Sequence, residues 1–230
     1  MDLVYICRSG DNEELRYSIR SMMANVPHDN LWVVGGKPDW YVGRHIPIKQ
    51  SDDKYDNARN NLKAIIECDE ISNRFVLVND DFYVTKPIKK IYTFASGTLN
   101  AKLAFFQDKH PSSFYTSLIR STYSKIKQIR GKDFISMDYD IHVPMVFEKK
   151  KLAPLLEYTL LWRSLYGNKY SLPYKVMRDV KIYRHNKQDA LEELLSRDTP
   201  YMSSDDTSFN YIRENYLSEA FPIPSKYECP

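Results

Sequence analysis

Arg74-Phe75-Val76-Leu77-Val78-Asn79-Asp80-Asp81-Phe82-Tyr83-Val84 is the stretch on which the fold turns. Its apolar opening, with two valines, predicts a strand buried on both faces, as parallel strands of α/β proteins are. The run then stops in three polar residues. Two adjacent carboxylates at the end of a buried strand, with apolar Phe82 next, are costly to place without a cation. A divalent metal is the natural partner for Asp80 and Asp81. If Asn79 to Asp81 stay extended, Asn79 and Asp81 share one face and Asp80 takes the other, one position to bind and one to support. The alternative is that both aspartates only cap the next element.

Upstream, Leu3 to Cys7 reads as a first strand ending in the loop Arg8-Ser9-Gly10-Asp11-Asn12, and Glu13 to Met23 as a helix capped by Asn12 or Asp11. A strand, a glycine-containing loop and a helix open a nucleotide-binding α/β unit, with Arg8, Arg16 and Arg20 as phosphate contacts or ordinary surface charges. Asn30 to Gly36 gives a second strand whose paired glycines would let backbone approach a ligand. His45 to Ile48 gives a third strand and Lys54 to Ile66 a helix. The polar first turn of that helix, Asp56, Asn57, Arg59 and Asn60, is placed to meet a base, ribose or phosphate, or is simply solvated. Repeated strand and helix predict a mostly parallel central sheet with flanking helices and ligands at the strands' carboxyl ends. No G-x-G-x-x-G follows the first strand and no G-x-x-x-x-G-K-S/T occurs, which sets aside dinucleotide dehydrogenases and P-loop enzymes.

The 230 residues, 43% apolar and 27% charged, suit a soluble chain of one large or two small domains. A net charge of +3 is too small for a dedicated nucleic-acid binder, although it tolerates a diphosphate or a polyanionic acceptor. Cys7, Cys68 and Cys229 lack C-x-x-C spacing, so neither zinc nor a disulfide framework is indicated. Without a basic leader or an apolar stretch of membrane-spanning length, the expected setting is cytoplasmic.

Downstream, Ile91 to Gly97 reads as an apolar loop and Ser112 to Arg130 as one helix. Its Arg120, Lys125, Lys127 and Arg130 form either a solvated flank or an acceptor-binding wall. In Ser136 to Phe147, Asp138, Asp140 and His142 alternate with Tyr139, Ile141 and Val143. An extended chain would put the three ionisable groups on one face, to complete a metal shell or supply a base; His142 as a structural partner of Asp140 is the other reading. Glu148 to Tyr158 and its continuation to Tyr166 read as helix, with Lys151 near a diphosphate or solvated. Tyr174 to Tyr183 reads as a short helix and a strand. Ser204 or Asp205 reads as the cap of a terminal helix, and the proline-rich tail from Phe221 as an extended wrap.

Leu15-Arg16-Tyr17-Ser18-Ile19-Arg20-Ser21, Leu31-Trp32-Val33-Val34-Gly35-Gly36-Lys37-Pro38-Asp39-Trp40, Phe75 to Phe82, His142-Val143-Pro144 and Pro224-Ser225-Lys226-Tyr227-Glu228 occur in the order seen in the Stealth proteins. That family holds capsular polysaccharide phosphotransferases and the lysosomal-enzyme N-acetylglucosamine-1-phosphotransferase. The chain also resembles small bacteriophage glycosyltransferases related to it. The resemblance implies a single GT-A-like domain, with a nucleotide-binding half over residues 1–90 and an acceptor half over 91–230. It implies Asp80 and Asp81 on a metal and diphosphate and His142 in the active site; joined to the reading of the residues, this gives Mn²⁺ or Mg²⁺ on Asp80, Asp81 and His142, with Arg8, Arg16, Asp56, Arg59, Asp80 and Lys151 toward a nucleotide-diphospho-sugar, a UDP-sugar first. The 138–142 alternation offers Asp138, Asp140 or His142 as catalytic groups, and the resemblance implies transfer to a glycan or to modified bases of phage DNA in a host cytoplasm. Where Stealth proteins carry an aromatic and an Asn in the first loop, this chain has Tyr5-Ile6-Cys7-Arg8-Ser9-Gly10. Because the shorter phage proteins it resembles lack much of the phosphotransferase apparatus, glycosyl transfer ranks ahead of sugar-phosphate transfer; a nucleotidyltransferase and a non-catalytic nucleotide- or polyanion-binding module are the competing classes.

Overall fold

Strands β1 (Asp2–Cys7) and β2 (Leu31–Gly35) are buried over nearly their whole length, as continuous apolar runs require when both sheet faces are covered. β1 pairs in parallel with β2 on one side and with β4 (Arg74–Asn79) on the other. β3 (Arg44–Pro47) pairs in parallel with β2, and β7 (Met145–Glu148) lies beyond β4, giving the order β3-β2-β1-β4-β7. The computed structural model that shows this describes residues 1–183, 186–197 and 199–229. The chain divides into two units. The first is Met1–Ile91 with His142–Phe147 and Val180–Pro230; the second is Tyr92–Ile141 with Glu148–Asp179.

Helix α1 (Glu13–Asn25) starts where the Asn12 side chain accepts from the Leu15 amide, and it buries Leu15, Ile19 and Met22. Helix α2 (Lys54–Glu67) is capped by Asp53 and lays Asn61, Leu62 and Ile65 toward β1 and β2. The glycine pair at the end of β2 serves packing rather than a ligand. A Cβ on Gly35, whose φ is +108°, would stand 2.3 Å from the Cys7 carbonyl, and one on Gly36 would stand 2.4 Å from the Ser9 Cα.

The 74–84 stretch is two strands rather than one extended run. The chain turns at Asp80 and Asp81, and β5 (Phe82–Val84) leaves for a second sheet. There β5 is antiparallel to β10 (Tyr201–Ser204), which runs parallel to β9 (Lys181–Ile182). Ser204, read from sequence as a helix cap, is thus a strand residue. Asp205 does accept from the Thr207 and Ser208 amides at the start of α8 (Phe209–Ile212), which runs on through a widened turn, Arg213–Leu217. Between β9 and β10 lies α7 (Lys187–Ser196), which the sequence reading left without an element. The tail, expected to be extended, turns at Lys226-Tyr227, where the Glu228 amide donates to the Ser225 carbonyl at 3.1 Å; Val42 donates to the Tyr227 carbonyl at 2.9 Å and Cys229 to that of Trp40 at 2.8 Å. Pro230 lies outside the described residues.

In the second unit β6 (Phe94–Ala95) pairs with β8 (Lys175–Val176), the latter read from sequence as helix. Helix α3 (Leu99–Lys109) packs on α4 (Phe114–Arg130), and α4 on α6 (Trp162–Lys169). The expected helix from Glu148 shortens to α5 (Lys149–Leu152) and the tight turn Ala153–Leu155, where Pro154 enters. Among the described residues, no helix is long and apolar enough to cross a membrane, and no disulfide joins Cys7, Cys68 and Cys229.

Candidate active site

Strands β2 and β3 extend the central sheet from one side of β1, and β4 begins its other side, so the crevice at the carboxyl ends of β1 and β4 is a topological switch point. A cleft of about 620 Å³ opens there within the first unit, a size suited to a small organic ligand. β1 supplies Ile6, Cys7 and the following Arg8; β4 and its turn supply Asn79, Asp80 and Asp81. From α2 come Lys54, Tyr55, Asn57 and Asn61, and from the second sheet Lys181, Ser204 and the loop 205–207.

The turn sends both aspartates to one cleft. Asn12 donates to Asp80 at 2.6 Å, and burial, helped by the charge of Asp81, raises the Asp80 pKa. Asp81 receives Lys181 Nζ at 2.9 Å and Ser203 Oγ at 3.2 Å on its Oδ2, while its buried Oδ1 has no hydrogen-bond partner. Burial alone would depress the Lys181 ammonium; the neighbouring Asp81 raises it on balance. Glu14, absent from the sequence prediction, projects from the first turn of α1 into the same cleft. It accepts from Ser204 Oγ at 3.0 Å and lies 3.8 Å from Arg8, yet burial, then Asp80 and Asp81, push its carboxyl up to about 7. Arg8 forks onto Asp206 at 3.3 and 3.4 Å. Five carboxyls, Glu14, Asp80, Asp81, Asp205 and Asp206, thus face three cations, Arg8, Lys54 and Lys181. The Cys7 thiol is pushed up to about 12 by burial and then by Asp80, which rules out a ready nucleophile.

The remaining sequence candidates lie elsewhere. Arg16 meets Glu228 at 3.0 Å and stacks 4.4 Å from the Trp40 ring, and Arg20 forks onto the same Glu228. Burial would raise Glu228, but Arg20, the Ser225 amide and Arg16 hold it at about 2. These arginines therefore fasten the tail to α1 instead of facing the cleft. Asp56 and Arg59 pair with each other at 2.6 Å. Lys151 pairs with Glu148 at 2.9 Å, inside the second unit.

The 138–142 segment is not a strand. Asp138 Oδ1 accepts from the Asp140 amide at 3.1 Å, which turns the chain, and the two aspartates meet at Ser164, whose hydroxyl donates to Asp138 at 3.3 Å. Asp138 also takes Ser96 Oγ at 2.6 Å and Lys102 Nζ at 2.9 Å, and Asp140 takes the Ser164 amide at 3.2 Å. Burial raises the Asp140 pKa against the pull of Lys102. Both aspartates lie in the second unit. His142 belongs to the first unit, edge-on to Phe82 with ring centroids 6.2 Å apart, and is not among the residues lining the cleft. The basic flank of α4 is likewise engaged: Lys127 donates to the Lys132 and Phe134 carbonyls, and Lys125 covers the Tyr158 ring at 4.3 Å.

Among the described residues, no group of three or more His, Cys, Asp or Glu is arranged as a metal cage, so the predicted trio Asp80, Asp81 and His142 is not assembled. The unpartnered Asp81 Oδ1 beside Asp80 nevertheless fits a divalent ion whose other ligands come from a bound molecule.

No family model and no curated protein sequence matches the chain. In structure it is similar to the galactosyltransferase LgtC in complex with donor and acceptor sugar analogues, with a TM-score of 0.55, 11% identity and 98% of each chain covered. An active-site mutant of LgtC gives 0.54 and 9% over the same shares. Identity this low speaks to fold, and the fold is the mixed α/β, GT-A-like one of those glycosyltransferases.

Proposed function

We propose that the chain is a metal-dependent glycosyltransferase that moves a sugar from a nucleotide-diphospho-sugar to a hydroxyl acceptor. The observation that carries this reading is the Asp80-Asp81 turn, which directs two carboxylates into a ligand-sized cleft at the switch point of a sheet whose fold is shared with LgtC. Asp81, with Asp80, would hold Mn²⁺ or Mg²⁺, whose charge offsets that building on the leaving nucleoside diphosphate. Arg8 is placed to meet a phosphate, and the α2 residues Tyr55, Asn57 and Asn61 offer a ring and amides to a nucleobase, a UDP-sugar being the first donor to try. The first unit is thus assigned the donor and the second, with its own helices, the acceptor. Asp140 and His142 are the groups to test for accepting the acceptor's proton, while Asp138, held by Ser96 and Lys102, is assigned a framing role.

The Stealth resemblance makes sugar-phosphate transfer the finer alternative, and the products separate the two. Incubation of a UDP-sugar with Mn²⁺ releases UDP if a glycosyl group moves and UMP if a sugar phosphate moves. A parallel melt with UDP or GDP and Mn²⁺ tests binding itself, since a ligand that binds only the folded state raises the melting temperature. Glycan and hydroxymethylated-DNA acceptors are the two to compare. A melting shift with neither product from any donor would leave the nucleotide-binding-module class, and no melting shift would remove nucleotide binding as well.

A further inference from the structure

The cleft has more acid than base, yet a donor brings further negative charge to it. Its carboxyls outnumber its cations by five to three, and a diphosphate adds about two more negative charges. One cation is placed differently from the others. Arg8 forks onto the exposed Asp206, and Lys54 lies 5.1 Å from the Tyr55 ring at the start of α2. Lys181 instead reaches from β9, with its side chain only 17% exposed, to Asp81 Oδ2 at 2.9 Å. The carboxylate expected to hold a metal is thus already paired through Oδ2 with a side chain of the chain itself, and only its Oδ1 is left over.

Resting on the donor-binding reading above, we infer that Lys181 is an exchangeable counter-cation. It occupies Asp81 while no divalent ion is bound, gives that carboxylate up when one arrives, and is then free to meet the donor's diphosphate. Two features make exchange physically reasonable. A lysine ammonium is a compact charge on a flexible four-carbon stem, so leaving one oxygen for another a few ångströms away costs little backbone movement. The pair also lies at the wall of an open cleft, where water lowers the cost of parting. Ion and diphosphate together bring nearly balanced charge to the cleft: the ion takes the ammonium's place at Asp81, and the ammonium then offsets part of the diphosphate.

Calorimetry with Mn²⁺ alone, and with UDP at saturating Mn²⁺, on the parent and on Lys181→Met tests this. Removal of an internal competitor should tighten Mn²⁺ binding roughly five- to tenfold and weaken UDP binding by a similar factor. Lys54→Met controls for the general field of the cleft and should change Mn²⁺ binding less than twofold. In the parent protein with ¹³C-methylated lysines, Mg²⁺ should shift the Lys181 resonance, assigned through Lys181→Arg, more than that of Lys54; this readout stands even if Lys181→Met folds poorly. Unchanged or weaker Mn²⁺ binding in folded Lys181→Met, an equal gain in Lys54→Met, or a Lys181 resonance indifferent to Mg²⁺ would overturn the inference while leaving the function intact. A parent that binds neither Mn²⁺ nor UDP would overturn the donor-binding reading, and this inference with it.

Discussion

Glu14→Gln should make the protein more stable above neutral pH and less sensitive to pH. Glu14 is 6% exposed, and its carboxyl is raised from 4.5 to about 7 by burial and by the charges of Asp80 and Asp81. A carboxyl whose pKa is raised by folding binds its proton more tightly in the folded state, so stability falls as pH rises between the unfolded and folded values. The loss begins near 4.5 and is complete above about 7. A rise of this size corresponds to about 3 kcal/mol as an upper figure, and water in the open cleft brings the expected loss to about 1–2 kcal/mol. Gln keeps the shape and an oxygen for Ser204 Oγ but carries no charge. Urea unfolding of parent and variant at pH 5 and pH 8 measures the effect. The variant should gain about 1–2 kcal/mol on the parent between the two values. A parent more stable than Glu14→Gln by the same margin at both would refute the reasoning.

Glu228→Gln has the opposite sign. Its carboxyl is held at about 2, so its contribution is present above 4.5 and is lost as pH falls through about 2. Discounted for solvent screening, removing the charge should cost about 2 kcal/mol at pH 7, read as a melting temperature lower by about 4–8 °C, with the gap closing toward pH 2. Lys127→Met should destabilise by about 1–2 kcal/mol through two lost donations to backbone carbonyls, with transfer per folded molecule unchanged; reduced transfer at full stability would restore the α4 flank as an acceptor wall. His142→Ala, followed by melts and single-turnover rates on one preparation, should lose about 10²-fold in rate at nearly unchanged melting if the imidazole takes the acceptor's proton. A destabilised but fully active variant would pass that role to Asp140.

The sequence shows the first unit's sheet plainly, because β1, β2 and β4 are buried on both faces and their apolar runs are bounded by Gly or polar residues. It also marks Asp80 and Asp81, since paired carboxylates beside a buried strand have few bland explanations. What it hides is tertiary. Lys181 and Ser204 reach the cleft, and Ser203 reaches Asp81, because β5 recruits β10, and β10 recruits β9, from more than 90 residues downstream. Glu14 looks like an ordinary first-turn helix acid until α1 is placed. The alternation at 138–142 mimics a strand because an aspartate that turns its own backbone leaves the same spacing as one that points from a pleat. Helix α3 buries only Leu99 and Leu103 and exposes Phe105, so its periodicity is faint.

The most direct test of the account is calorimetry of UDP binding, with Mn²⁺ and with EDTA, to the parent and to Asp81→Asn at pH 7. The account predicts Mn²⁺-dependent binding by the parent, and its loss in an Asp81→Asn protein that melts as a folded chain. Equal Mn²⁺-dependent binding by the two proteins would contradict it.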